Sequence, residues 1–268
     1  AALPWTVEDW RDLEAGEQDA ALERFLDEAR TRGFDLRQPP LLRFALFRVA
    51  DESYWFVRSQ HHLSTDGWSG ARVADEVFRV YQALAAGRPV QPRRVRPYRD
   101  YIAWLERQDM GAAERYWRGA LAGFTAPTPL AADRPARPEA GVRKAERGAV
   151  LSPALTQRVE AVAREKGVTL NTVLQGAWGL LLARYSGEDD VVFGTTVSGR
   201  PAELDGVEEM IGLFINTLPV RMRVLGSATL GGWLGELQRA QAEMREYEYS
   251  PLVQVQGWSE VPRGTPLF

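Results

Sequence analysis

Two adjacent histidines, His61 and His62, are the only histidines in the chain, and Asp66 and Gly67 follow them after three intervening residues. Histidine is the side chain whose unperturbed pKa, about 6.5, allows it to exchange a proton near neutral pH. At average composition, such a pair followed at this spacing by Asp-Gly would arise by chance in roughly one chain per few thousand. We therefore expect residues 61–67 to carry the chemistry of this protein.

A metal centre and a hydroxyl nucleophile are two chemistries that this stretch could support. Two histidines and an aspartate could bind iron or zinc, but adjacent residues of a strand point to opposite faces and there is no third histidine. Residues 67–70 are one residue too short for the Gly-x-Ser-x-Gly elbow of serine hydrolases. Ser64 and Thr65 remain conceivable nucleophiles, although hydroxyl groups before a helix more often act as caps.

The residues around the histidines predict a loop between a strand and a helix. Two aromatic and β-branched runs, Leu41–Val49 and Ser53–Gln60, are separated by three residues and predict a hairpin whose second strand leads to the histidines. Apolar residues at helical spacing then predict a helix that ends near Gly87, with Asp66 as its N-cap. A lone histidine would usually be a packing residue, but the pairing, the loop and the Asp-Gly turn favour a catalytic role.

Helices and strands alternate in both halves of the chain, which predicts two α/β lobes. A stretch rich in Pro, Ala, Arg and Gly separates the halves and has the composition of a linker. We predict an N-terminal lobe at 1–128, a linker at 129–146 and a C-terminal lobe at 147–268. The other predicted helices and strands are helices at Glu17–Arg32, Tyr98–Trp104, Ala112–Leu121, Pro153–Lys166, Thr169–Tyr185, Leu230–Tyr247 and Pro251–Trp258, and strands at Arg147–Leu151, Val191–Val197 and Ile211–Val224. The apolar residues of Thr169–Tyr185 cover more than one stripe and predict a largely buried helix.

Composition excludes several classes of protein. The 268 residues carry a net charge of -3, which argues against a general nucleic-acid binder. The chain has no cysteine, which excludes disulfides, thiolate zinc sites, iron-sulfur clusters and a cysteine nucleophile, and is compatible with a cytoplasmic location. The longest apolar run, Ala177–Ala183, is far shorter than the roughly 20 residues that span a bilayer. We expect neither nucleic acid nor membrane as a partner.

The His-His-x-x-x-Asp-Gly stretch resembles the signature of the condensation domains of nonribosomal peptide synthetases, which are similar in fold to chloramphenicol acetyltransferase. Further stretches resemble the same family in the same order, so that the resemblance covers essentially the whole chain. They are Phe34–Leu36 with Pro40–Arg43, Tyr98–Trp104, the Gly-x-Phe-x-Asn-Thr motif within Ile211–Arg221, and Ser250–Leu252 through Pro266–Phe268. The family's initial Arg-His-x-x-Leu-Arg motif is absent and the family continues beyond residue 268, so we expect a fragment with exposed sheet edges and apolar surface.

The resemblance implies a two-lobed α/β acyltransferase with its active site at the lobe interface. Its reaction would be amide formation by attack of an amine on a thioester. Donor and acceptor peptidyl carrier proteins would present the substrates on 4'-phosphopantetheine, next to an adenylation domain of a larger synthetase, with no cofactor or metal bound directly. Another acyltransferase with this signature, forming an ester or amide from a coenzyme A or carrier thioester, and a noncatalytic protein-recruiting platform are the alternatives.

The resemblance also implies roles for individual residues. His62 would be the catalytic histidine, acting either as general base toward the amine or as a hydrogen-bond partner that orients it. His61 would support the loop, and Asp66 would fix it as a helix cap or by pairing with an arginine, for which Arg200 is a candidate. Gly67 would let the backbone approach the substrate closely.

Two further residues are candidate substrate contacts. Asn216 belongs to the motif that resembles a family strand lining the lobe interface, and a satisfied strand amide is an equally good interpretation of it. Ser64 lies within the histidine loop itself.

Overall fold

The computed structural model describes residues 2–91, 93–130, 148–224 and 226–268, so that most of the predicted linker, residues 131–146, lies outside the described residues. The chain divides into two compact units. The first unit contains residues 1–103 and 200–214, and the second contains residues 104–199 and 215–268. These units differ from the predicted lobes, because residues 104–128 pack with the second unit and residues 200–214 return to the first.

The first unit is built on a three-stranded sheet in the order β1 (Trp5–Asp9), β2 (Leu42–Ala50) and β3 (Ser53–Gln60). Strand β1 is parallel to β2, and β2 and β3 form the predicted antiparallel hairpin, in which Phe47 pairs with Trp55. The structure adds β1, which the sequence pattern did not predict.

Helix α1 (Ala15–Arg32) covers one face of this sheet and ends at Gly33, as predicted. The core on that face consists of Trp10, Ala45 and Phe47 with apolar residues of α1 packed against it, and the rings of Trp10 and Phe47 stack 3.9 Å apart. The opposite face carries Trp5 and Phe56, each about half exposed. The described residues therefore leave an apolar sheet face open, as expected for this chain.

Helices α2 (Gly67–Ala85) and α3 (Arg99–Leu105) follow the sheet. Helix α2 begins directly after the histidine loop and has Asp66 as its N-cap, which confirms the predicted helix start. No described helix has the length and apolar character that crossing a membrane would require.

The second unit contains a two-stranded antiparallel sheet and five helices among its described residues. Its core includes Trp117 of α4 packed with Val191, Leu218 and Val220 of the sheet, which explains why residues 104–128 belong to this unit. The elements are α4 (Met110–Ala120), α5 (Pro153–Lys166), α6 (Leu170–Ser186), β4 (Asp190–Val197), β5 (Asn216–Arg223), α7 (Leu230–Arg245) and α8 (Leu252–Trp258).

Two predictions for this half of the chain are wrong. Residues 148–151 of the predicted strand Arg147–Leu151 form no strand, and Val150 is 99% exposed, because the described residues offer this run neither a partner strand nor a core to face. Helix α6 is not buried over more than one stripe. Its buried face includes Gly176 and Gly179, and a Cβ on Gly179 would lie only 2.3 Å from the Met222 sulfur. The helix therefore packs through its small residues, and the large side chain of Trp178, on another face, is about half exposed.

Candidate active site

The loop after β3 is held by its first histidine. The backbone N–H of His61 donates to the Leu41 carbonyl at 3.0 Å and so extends the hairpin by one residue. Its half-buried ring lies edge-on to Phe34, and its Nδ1 accepts the backbone N–H of Leu63 at 3.1 Å, which caps a single 3-10 turn at His62–Ser64. Because Nδ1 accepts this bond, the neutral ring of His61 carries its proton on Nε2. His61 is thus bonded into the loop on both sides of its Cα, and its supporting role in an active site stays a prediction.

His62 stands in contrast to its neighbour. Its side chain is exposed, and its ring forms no hydrogen bond with any residue that the structure describes. Both ring nitrogens are therefore available to another molecule. Ser64 is also exposed, whereas the hydroxyl of Thr65 accepts the side-chain N–H of Gln60 at 2.8 Å.

Asp66 closes the loop and starts helix α2 with a fully buried carboxylate. One oxygen, Oδ1, accepts the backbone N–H of Ser69 at 2.8 Å, and the other, Oδ2, accepts the backbone N–H of Phe214 at 3.1 Å. Burial raises the pKa of Asp66, but the hydrogen bonds from Ser69 and Phe214 and the charge of Arg200 outweigh it and hold the pKa below its ordinary value. The carboxylate is therefore ionised at neutral pH.

Arg200 is the predicted partner of Asp66, and the structure confirms the pair at 3.4 Å between Nη2 and Oδ1. The guanidinium is almost fully buried, lies 3.8 Å above the Phe214 ring and donates from Nη1 to the carbonyls of Met210 and Val207. Burial lowers the pKa of Arg200, and the negative charge of Asp66, which acts in the opposite direction, does not fully offset it. A guanidinium nevertheless remains protonated at neutral pH.

Ser69 links the helix start to the returning segment 200–214. Its hydroxyl accepts Nη2 of Arg200 at 2.9 Å, donates to the Gly212 carbonyl at 2.8 Å and accepts the Gly212 N–H at 3.1 Å. Sequence analysis missed this role. No local pattern indicates this role, because the partners of the hydroxyl, Arg200 and Gly212, lie 131 and 143 residues away in the chain.

Gly212 opens the Gly-x-Phe-x-Asn-Thr motif, but sequence analysis gave it no role of its own. A Cβ at Gly212 would lie 2.1 Å from the ring of Tyr98, whose hydroxyl donates to the Leu213 carbonyl, so that only glycine fits here. At Gly67, by contrast, a Cβ would meet open space, and no contact within the described protein requires glycine there. The predicted approach of the Gly67 backbone to a substrate stays a prediction.

Asn216 is the first residue of β5 in the second unit. Its side-chain N–H groups donate to the carbonyls of Glu248 at 2.9 Å and Ser250 at 2.6 Å, and its Oδ1 accepts the Thr217 N–H at 2.9 Å. The interpretation as a satisfied strand amide is therefore confirmed, and the proposed substrate contact stays a prediction. Among the residues that the structure covers, no cluster of three or more His, Cys, Asp or Glu side chains could hold a metal ion.

The family model of the Condensation domain matches residues 1–268, and the chain belongs to this family. It is 49% identical over 258 residues to a component of the linear gramicidin synthase of Brevibacillus parabrevis, and 43% identical over 268 residues to chondramide synthase cmdD of Chondromyces crocatus. These matches cover 96% and 100% of the chain but only 5% and 7% of the two relatives.

Solved structures show the same fold. A mutant of the starter condensation domain of rhizomide synthetase, in complex with C8-CoA and Leu-SNAC, matches with a TM-score of 0.78 at 21% identity, over 100% of this chain and 60% of that one. The first condensation domain of the calcium-dependent antibiotic synthetase matches with a TM-score of 0.72 at 21% identity, over 97% of this chain and 61% of that one. The predicted α/β fold class is confirmed.

Proposed function

We propose that this chain is part of a condensation domain that joins two carrier-tethered substrates through an amide bond. The observation that carries the proposal is the contrast within one loop: His61 and Asp66 are fixed by hydrogen bonds, whereas His62 between them is exposed and unbonded among the described residues. Membership of the Condensation family supports this assignment. The enzyme is then an acyltransferase, and His62 is its catalytic residue.

The chemistry requires positioning more than a strong base. An α-amine has a pKa of about 7.7 to 8.0, so a sizeable minority is neutral at physiological pH. Its nitrogen attacks the thioester carbonyl, the C–N bond forms, the C–S bond breaks, and the amine proton ends on the leaving thiol. His62 either takes this proton as general base or orients the amine by a hydrogen bond and stabilises the intermediate. His61 and Asp66 hold the loop in place for either role.

The named relatives suggest the setting of this reaction. They are synthases of which this chain spans only a few per cent, which supports a position within a larger synthetase. Donor and acceptor peptidyl carrier proteins, each with a 4'-phosphopantetheine arm, and an adjoining adenylation domain are the proposed partners, and the cytoplasm is the proposed location. Natural product biosynthesis is the corresponding process.

Replacement of His62 tests the proposal. In the full synthetase with loaded donor and acceptor carrier proteins, His62→Ala should lower amide formation by about two to four orders of magnitude, the range of general acid–base catalysis. Mass spectrometry of the carrier-tethered products measures this loss. The matched control is Leu63→Ala, the same change at an exposed residue of the same loop, which should retain transfer.

Wild-type rates in the folded His62→Ala variant would contradict the proposal. Loss of a covalent acyl-enzyme together with activity in Ser64→Ala would instead establish a serine nucleophile. An ester product, or turnover of free coenzyme A thioesters in place of loaded carriers, would favour the alternative acyltransferase.

A further inference from the structure

The histidine loop, residues 61–65, joins the end of β3 to the N-cap of α2 within the first unit. Successive side chains of a strand point to opposite faces of the sheet. Gln60, the last residue of β3, therefore shares the face of Phe56, whereas His61 shares the face of Trp55, which packs against the core below α1. The two residues that precede His62 thus lie on opposite sides of the sheet.

Each of these two residues is bonded to a different part of the loop. Nδ1 of His61 accepts the backbone N–H of Leu63 at 3.1 Å, which fixes the start of the loop. The side-chain N–H of Gln60 donates to the hydroxyl of Thr65 at 2.8 Å. This second bond, which we call the loop clasp, joins the residue before the loop to the last residue of the loop, and both of its partners are partly buried.

His62 lies in the stretch of chain that the loop clasp closes. Its exposed ring forms no hydrogen bond with any described residue, so the position of the ring depends on the backbone that carries it. That backbone is a single 3-10 turn with one hydrogen bond, from the N–H of Ser64 to the His61 carbonyl at 3.1 Å. A 3-10 turn has poor hydrogen-bond geometry. The shape of the loop therefore depends strongly on the side-chain bonds at its two ends.

We propose that Gln60 is a positioning residue for His62 and acts through the loop clasp. The inference rests on the proposed function, in which His62 acts on the attacking amine. Displacement of a reacting group by about 1 Å can lower a rate by about two orders of magnitude, so a loop held at both ends preserves the geometry that the reaction requires. In this role the Thr65 hydroxyl is a structural acceptor and takes no part in the chemistry.

Removal of either partner tests the loop clasp. Gln60→Met keeps the length of the side chain without its amide, and Thr65→Val keeps the shape without the hydroxyl. In the full synthetase with loaded carriers, each variant should lower kcat for amide formation about tenfold at unchanged KM, because a displaced His62 affects the reaction and not the binding of the carriers. Mass spectrometry of the tethered products at several carrier concentrations measures both parameters.

Two combinations test whether the residues act as a pair. The double variant Gln60→Met/Thr65→Val should lose no more than either single variant, since one bond is removed in all three. Thr65→Ser restores the hydroxyl and should regain the wild-type kcat. The matched control is Gln82→Met, the same change at an exposed glutamine of α2, and it should leave kcat unchanged.

A merely structural role is distinguished by the His62→Ala background. If the loop clasp acts through the His62 ring, Gln60→Met should not lower the residual rate of His62→Ala any further. A loss of the same size in that background would overturn the inference, as would an unchanged kcat in Gln60→Met. A loss confined to Thr65→Val would also overturn it, because the hydroxyl would then act without Gln60.

His62→Ala alone separates this inference from the proposed function. If His62→Ala lowers amide formation and Gln60→Met retains the wild-type kcat, only the role of the loop clasp is refuted. If folded His62→Ala forms the amide at the wild-type rate, the proposed function itself fails.

Discussion

The least exposed aspartate–arginine pair of each unit, among the described residues, differs from that of the other unit in burial and in the contacts it makes. In the first unit, Asp66 and Arg200 have side-chain exposures of 0% and 5% and meet through one 3.4 Å contact. In the second, Asp190 and Arg221 have exposures of 33% and 12% and meet at 2.7 Å, with a second bond from Nε at 2.9 Å. The less exposed pair therefore has the weaker direct contact.

The difference lies in the backbone around each pair. Asp66 accepts the backbone N–H groups of Ser69 and Phe214, and Arg200 donates to the backbone carbonyl of Met210. The pair therefore connects the start of a helix with a loop that is distant in the sequence. Arg221 also donates to the carbonyls of Ala120 and Ala122 at the end of α4, but its carboxylate partner Asp190 is one-third exposed to water. A buried pair of this kind stabilises the folded state mainly through its hydrogen bonds to the backbone, because the cost of desolvating the two charges offsets much of their direct attraction.

Removal of the buried carboxylate should have the largest effect. Asp66→Ala leaves Arg200 as an uncompensated buried charge and removes the cap of α2, so we expect a loss of about 3–5 kcal/mol in the free energy of unfolding. Urea denaturation of the domain measures it. Transfer activity should fall as well, because the loop carrying His62 loses its anchor. A loss below about 1 kcal/mol would show that the pair is not the organising contact of this unit.

The same substitution in the second unit should cost less. Asp190→Ala removes the charge-assisted hydrogen bonds from Arg221 and Arg223, but the Asp190 side chain is already one-third exposed, so we expect a loss of about 1–2 kcal/mol. The urea midpoint of this variant, compared with that of Asp66→Ala, tests the ranking directly. Equal losses in the two variants would mean that burial does not decide the strength of these pairs.

The smallest expected effect is a loss of folding stability at acid pH. The Arg221 hydrogen bond is the main reason why the pKa of Asp190 lies below its ordinary value, and the pKa of Asp66 is also lowered. A lowered folded-state pKa means that the unfolded chain binds more protons near pH 4, so stability is full above about pH 4 and falls as the pH drops through the folded-state value.

The measurement is the urea midpoint between about pH 6 and about pH 2.5. In Asp190→Asn the fall should be shallower than in the wild type, because one of the contributing carboxylates is gone. An unchanged slope in that variant would remove Asp190 from the groups responsible.

Much of the local structure was predictable from the sequence. The hairpin before the histidines, the start of α2 at Asp66, the end of α1 at Gly33 and the pairing of Asp66 with Arg200 all agree with the structure. Periodicity and capping depend on residues within a few positions of each other, so a single sequence contains this information. The Arg200 pairing came instead from the family resemblance.

Other features depend on packing between distant segments. The pattern of α6 suggested broad burial, but Gly176 and Gly179 face the core because α7 and β5 approach the helix closely there. Strand β1 forms by parallel pairing with a strand more than thirty residues away. No local pattern shows which segment will supply such a partner.

The histidine loop shows the same division on a small scale. Its sequence determined that a strand ends, a helix begins at Asp66, and two histidines lie between them. Only the tertiary structure decided that His61 caps the 3-10 turn and that His62 is left exposed. It also decided that the second carboxylate oxygen of Asp66, Oδ2, accepts the backbone N–H of Phe214. The physical reason is that a buried carboxylate needs donors, and a helix start alone cannot supply all of them.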